Sequence, residues 1–129
     1  MDFRLSEEQQ ALQTAAREFA RGEMTAVAEE TEREARPLSR DWGKRYAEMG
    51  FLGVNIPTRY GGLGLGNVDA LLVLEEFAKI SSAVAFPIFE SVVGPVRALE
   101  HFADDALKER VIPAVCRGEM MVAVAMSEP

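Results

Sequence analysis

Few residue types in this 129-residue chain could carry metal or nucleophilic chemistry. There is one cysteine, Cys116, and one histidine, His101. Structural zinc sites draw on four Cys or His ligands, and a di-iron carboxylate bundle needs two Glu-x-x-His motifs. Neither set can be assembled here, so no metal ligand is assigned. A Cys–His nucleophilic pair needs the two side chains within reach of each other, and nothing in the sequence places them together. Cys116 reads as a small apolar side chain on a helix, and His101 as a surface or capping residue near a helix end. A lone cysteine closes no internal disulfide, which fits a reducing compartment and points to the cytoplasm.

Carboxylates and glycines offer two further chemistries. Glu75 and Glu76 invite an acid–base role, but neighbours on a helix point about 100° apart and cannot share one substrate atom. Both are expected to face solvent, and no catalytic residue is assigned. The stretch TRYGGLGLGN, from Thr58 to Asn67, holds four glycines. It satisfies neither G-x-G-x-x-G nor G-x-x-x-x-G-K-[ST], and no βαβ unit surrounds it. A tight crossing between two helices, with glycines allowing close backbone approach, is the expected role.

The elements that must position such groups are mostly helical. Ser6 with Gln9 forms a capping box, Glu7 and Glu8 suit the first turn, and Leu12, Ala16 and Phe19 make an apolar stripe. Gly22 weakens this helix, Met24, Val27 and Ala28 continue the pattern, and Pro37 ends it. Ser39 is expected to cap a second helix, with Trp42, Tyr46 and Met49 on one face and Gly50 as its left-handed stop. Asn67 is expected to cap a third, made central by Val68, Leu71, Leu72, Leu74 and Phe77. Ser82 to Phe102 is apolar but interrupted by Pro87 and Pro95, which predicts a kinked or two-part helix suited to walling an apolar cavity. Asp104 or Asp105 starts the last helix, which turns Leu107, Val111, Ile112 and Val115 inward. From Met120 to Ser127 the period changes to strict alternation, which predicts a strand. A strand needs ladder partners, so it is expected to open a second domain.

Composition narrows the class. With 48% hydrophobic residues the chain is not a disordered tail, and 129 residues suit one domain. No uninterrupted apolar run approaches the ~20 residues that span a bilayer, so no membrane span is expected. Fourteen basic against 21 acidic residues, a net charge of −7, argue against a nucleic-acid partner.

Three ordered stretches carry a family resemblance. Phe3-Arg4-Leu5-Ser6-Glu7-Glu8-Gln9 is like an opening helix start. Ile56-Pro57-Thr58-Arg59-Tyr60-Gly61-Gly62-Leu63-Gly64 is like a Pro-x-x-Tyr-Gly-Gly-x-Gly loop, followed by a Leu-rich helix ending in Glu-Glu. Ala125-Met126-Ser127-Glu128-Pro129 is like the first half of a flavin-binding signature that continues into Gly-Ser-Asp. Together they resemble the N-terminal helical domain of the acyl-CoA dehydrogenases.

The resemblance implies an all-α, up-and-down helical bundle over residues 1–118, with 119–129 as the first strand of a middle β domain. It implies FAD as cofactor and α,β-desaturation of an acyl-CoA substrate. Electrons would pass to an electron-transferring flavoprotein or another acceptor, in a homo-oligomer, a tetramer in the full-length family. By motif match Val124, Ala125, Met126 and Ser127 lie along the flavin, and Phe86, Phe89 and Val93 belong to the acyl-chain wall. The family's catalytic glutamate lies in later domains, so this chain alone is expected to be inactive. Two alternatives stay open: a non-catalytic helical assembly or binding module of the same fold, and a relative of the flavin monooxygenase or carrier-protein-thioester type.

Overall fold

The computed structural model describes residues 3–127; Glu128 and Pro129, the end of the signature-like stretch, lie outside the described residues. Helix α1 (Glu7–Phe19) opens on the expected capping box, with Gln9 N–H donating to Ser6 Oγ and Ser6 N–H to Gln9 Oε1. Gly22 lies in a π-helical turn, Ala20–Met24, which buries Ala20 and Met24 before α2 (Thr25–Glu34). Such a turn accommodates an extra residue in a helix without ending it. Ala35, in the left-handed region at φ 49°, stops α2 ahead of Pro37. In α3 (Asp41–Glu48), Tyr46 is fully buried and donates its hydroxyl to Val84 C=O at 2.9 Å. Burial without a charged partner raises the Tyr46 hydroxyl above its ordinary pKa. Ser39 Oγ accepts from Asp41 N–H, but the N-cap of α3 is Arg40, without a side-chain cap, which corrects the cap expected at Ser39; Gly50 takes φ 75° as anticipated.

Residues 51–56 are buried turns, not a strand. A 3₁₀ turn, Thr58–Tyr60, then reverses the chain, and the glycine loop folds back on this segment. Leu63 N–H donates to Gly53 C=O, Leu65 N–H to Val54 C=O and Gly64 N–H to Ile56 C=O, all within 2.9 Å. The close approach expected of the glycines is therefore loop against buried turn, not helix against helix. A Cβ on Gly62 would stand 2.1 Å from the Ile56 carbonyl oxygen, so no larger residue fits.

Helix α4 (Asn67–Ala78) begins one residue after Gly66, whose N–H is capped by Asp69 Oδ2 at 2.7 Å. Asn67 is the first helical residue, and its Oδ1 accepts instead from Asn55 Nδ2. The buried face of α4 is Ala70, Val73, Glu76 and Phe77, whereas Val68 and Leu71 are exposed. Glu76 corrects the expectation of two solvated glutamates: it is 2% exposed.

The apolar stretch breaks as expected, into α5 (Ser82–Val92) and α6 (Pro95–Phe102). Pro87 is carried inside α5, while Gly94 and Pro95, the latter at the first helical position of α6, make the break. By length and composition alone, an 18-residue window of Ser82–Phe102 is apolar enough to cross a bilayer, with a mean hydropathy of 1.3. Glu90, Arg97 and Glu100 keep it from being an uninterrupted apolar run. Here the stretch is in two pieces, with Val84, Ala85, Ile88, Ser91, Val92 and Val96 buried. Asp104 Oδ1 caps α7 (Asp105–Cys116) by accepting from Leu107 N–H at 2.8 Å.

Two apolar clusters result. The larger gathers Phe19, Tyr46, Phe51 and Phe77 with Val84, Ile88 and Val92; α1 packs on α4, and α4 on α5. The smaller joins Ile56, Tyr60, Val96, Val111, Ile112, Val115 and Cys116. Among the described residues there is no strand: 120–127 have no regular secondary structure and no ladder hydrogen bonds. The alternation is real, but a ladder needs a second strand and no neighbour provides one.

Candidate functional site

Helix α7 ends at Cys116, and Gly118 adopts φ 69° against α3. A Cβ on Gly118 would stand 2.2 Å from the Gly43 carbonyl oxygen, so the two backbones touch there. This contact sends residues 119–122 back across the helices, over a cleft of about 220 Å³. Leu52, Val96 and Val115 supply its apolar lining, and α5 turns Pro87, Glu90 and Ser91 toward it. Arg40 and Glu119 line it as well, and Met120, Met121 and Val122 run along it.

The polar groups of this cleft differ in how they are satisfied. Ser91 is buried, and its hydroxyl is spent on Pro87 C=O and Ile88 C=O at 3.1 and 3.0 Å. Glu119 pairs with Arg117 at 2.8 Å, and that hydrogen bond holds its carboxyl below the ordinary value. Glu90 is partly buried, and among the described residues no hydrogen bond or ion pair involves it. Burial pushes its carboxyl above the ordinary value, with no charged group working against the shift. Sequence reasoning passed over Glu90, although it is the one charged residue between Ser82 and Val96.

The expected site residues divide. Val124, Ala125, Met126 and Ser127 are all exposed, and Val124 lies two residues beyond Val122, at most about 7 Å of chain from the cleft. Among the described residues the chain's last backbone hydrogen bond is from Glu119 N–H to Ala114 C=O. The amides and carbonyls of 124–127, with the Ser127 hydroxyl, are therefore open to a ligand. That donor and acceptor set is of the kind that the polar edge of a flavin ring takes. Phe86 and Phe89 of α5, with rings 5.7 Å apart, and Val93 just after it are exposed, and none of the three lines the cleft.

Other candidates behave as structural residues. Among the described residues no cluster of three or more His, Cys, Asp or Glu could hold a metal. Burial pushes the Cys116 thiol up to about 11, away from the reactive thiolate. His101 is exposed on the last turn of α6, beside Arg97. Glu76 accepts from Arg17 Nε and Nη2 at 3.2 and 3.0 Å and from Lys79 Nζ at 2.9 Å. The Arg17 hydrogen bond holds the Glu76 carboxyl below the ordinary range.

Residues 6–119 match the family model described as acyl-CoA dehydrogenase, N-terminal domain. The chain belongs to the acyl-CoA dehydrogenase family. It is 34% identical over 129 residues to an acryloyl-CoA reductase (NADH) of Anaerotignum propionicum, covering 100% of this chain and 32% of that protein. It is 35% identical over 127 residues to the mitochondrial isovaleryl-CoA dehydrogenase of Pongo abelii, covering 97% of this chain and 30% of that protein. An acyl-CoA dehydrogenase from Bacillus anthracis, solved in complex with FAD, superposes with a TM-score of 0.87 at 26% identity. That match covers 97% of this chain and 21% of the other. The chain thus spans about a third of the length of the curated family members it matches. The all-α architecture expected from the resemblance is the one observed.

Proposed function

We propose that this domain forms one side of the active site of an FAD-dependent acyl-CoA dehydrogenase that desaturates an acyl-CoA thioester between its α and β carbons. The observation that carries this is the open strip Val124–Ser127 following directly on an apolar cleft, in a chain of this family. FAD, when bound, supplies the acceptor for the hydride that leaves the β carbon. The chain's own part is to hold and exclude. Backbone groups of Val124, Ala125 and Met126 and the Ser127 hydroxyl would meet the polar edge of the ring. Pro87, Ser91 and Val115 would wall the acyl group, with Phe86, Phe89 and Val93 exposed along and just after α5. Keeping water from the acyl group strengthens every electrostatic interaction beside it. None of the glutamates described is assigned as the base.

Residues 1–118 are read as the helical domain and 119–129 as the entry to a β domain. An electron-transferring flavoprotein or another acceptor, a homotetramer and a cytoplasmic address complete the reading. The family alone does not set that address, since one relative is mitochondrial. A second reading, reduction of an enoyl-CoA, is favoured by the relative named as a reductase. A purely assembling module is favoured only by the exposed Met120, Met121, Val124 and Met126.

The deciding experiment is the visible spectrum of the full-length protein, followed as acyl-CoA is added without oxygen. A flavin band that bleaches supports desaturation, and one that bleaches with NADH and reoxidises with enoyl-CoA supports reduction. A colourless protein after mild purification and FAD addition would sink both. The same spectrum on the 129-residue chain shows whether its strip holds FAD unaided.

A further inference from the structure

Residues 119–127 leave α7 through two backbone hydrogen bonds, Gly118 N–H to Val115 C=O at 2.8 Å and Glu119 N–H to Ala114 C=O at 2.9 Å. This pairing, with Gly118 at φ 69°, is a Schellman stop, and it fixes the direction in which the chain departs. Beyond it, no backbone hydrogen bond joins 120–127 to any described residue. Val122 packs on the smaller apolar cluster, but apolar attraction has no direction and sets no register. Gly118 itself rests on the backbone of α3. A Cβ on Gly118 would lie 2.2 Å from the Gly43 carbonyl oxygen and 2.7 Å from the Lys44 nitrogen, and one on Gly43 would lie 3.0 Å from the Gly118 carbonyl oxygen. Main chain against main chain is a rigid stop, because neither side has a rotamer with which to give way.

We propose that Gly43 and Gly118 are positioning residues for the flavin: their contact sets how closely Val124–Ser127 lies to the helices, and so where its open amides and the Ser127 hydroxyl stand. This rests on the FAD reading above. Binding groups work only within about 0.5 Å of their productive geometry, so a displacement at the stop is felt in the strip. Gly43 lies inside α3, where alanine is the better helix former, yet its Cβ would push the Gly118 carbonyl away by a few tenths of an ångström. Gly118→Ala adds left-handed strain to a backbone clash, so it displaces the segment further. A purely structural contact predicts changes in stability alone, whereas a positioning contact predicts a change at the flavin.

The test measures FAD binding to the full-length protein stripped of flavin, by the change in flavin fluorescence, beside thermal melts of the same flavin-free samples. Gly43→Ala should melt within about 2 °C of wild type or above it, yet bind FAD about fivefold or more weakly. Gly118→Ala should bind it about tenfold or more weakly. With FAD saturating, the visible band of both variants should move from its wild-type position toward that of free FAD. Gly22→Ala, with nothing within 4 Å of its would-be Cβ, should leave affinity and band unchanged. Wild-type affinity and band in Gly43→Ala overturn the proposal, as does a loss that Gly22→Ala shares. Affinity lost while the wild-type band is kept also overturns it, since a destabilised domain would do the same. A wild-type protein that takes up no FAD defeats the flavin reading itself, and the positioning role with it. Gly43→Ala decides the matter if Gly118→Ala does not fold.

Discussion

Glu76 is 2% exposed, and a carboxylate at that depth persists only if its lone pairs are met. Arg17 meets it with a two-pronged grip from α1 and Lys79 with a third hydrogen bond from the end of its own helix. Both cations keep a water-facing side, so the arrangement is a half-buried clamp joining α1 to α4. Glu76→Gln should cost about 2 kcal/mol in urea unfolding at about pH 7, because hydrogen bonds to a charged group are lost. The Glu76 pKa is lowered on folding, so the unfolded chain binds its proton first as pH falls. The clamp's contribution is therefore full above the ordinary glutamate value of about 4.3 and drains as pH drops through the lower folded value. The gap between wild type and Glu76→Gln should shrink at about pH 3, and an unchanged gap would refute the clamp. Cys116 calls for a different measurement. With its thiol raised to about 11 and packed against Gly53, it should resist a disulfide reagent in native buffer and react at once in denaturant. Modification of the native protein at the rate of free cysteine would contradict this burial.

Among the elements, glycines separate cleanly by what surrounds them. Gly62 is pinned beneath the Ile56 carbonyl, so Gly62→Ala must displace backbone and should cost about 3 kcal/mol or more. Gly22, in the π-helical turn, has nothing within 4 Å of its would-be Cβ. Gly22→Ala should therefore be neutral or stabilise by about 0.5–1 kcal/mol through helix propensity. Paired thermal melts check the contrast, which fails if the two shifts share a sign. The helix start at Ser6 was legible in the sequence, and that at Asp104 or Asp105 to within one residue, because a cap is a local hydrogen bond between residues three apart. The start at Asn67 was misassigned by one place, because Asp69 reaches back to Gly66 N–H and frees Asn67 to join Asn55 across the fold. Pro95 interrupts as expected, whereas α5 accommodates Pro87 within the helix.

At the scale of the molecule, Phe77 is the meeting point of the larger core. Its ring lies 5.8, 5.1 and 5.3 Å from those of Phe19, Tyr46 and Phe51, which come from three other parts of the chain. Phe77→Ala should cost about 3–5 kcal/mol in chemical unfolding, the loss expected for an aromatic whose cavity cannot collapse. A loss under about 1 kcal/mol would mean that the cluster is loosely packed. The helical class, most boundaries and the family were legible in the sequence, since periodicity, caps and motif order are properties of neighbouring residues. So was the burial of Cys116, which follows from a small apolar residue on a helix face. Burial of Glu76 was not legible, because its cations come from position 17 of another helix and from the next turn. Nor was the side of α5 that faces the cleft, for 82–93 is apolar nearly all round and only packing selects Pro87, Glu90 and Ser91 over Phe86, Phe89 and Val93. The alternation from Met120 to Ser127 was legible, but strand formation depends on a partner's backbone and not on the segment itself. Local chemistry thus determined which elements form and where they start, and tertiary structure alone decided which faces meet and which charge was left without a partner.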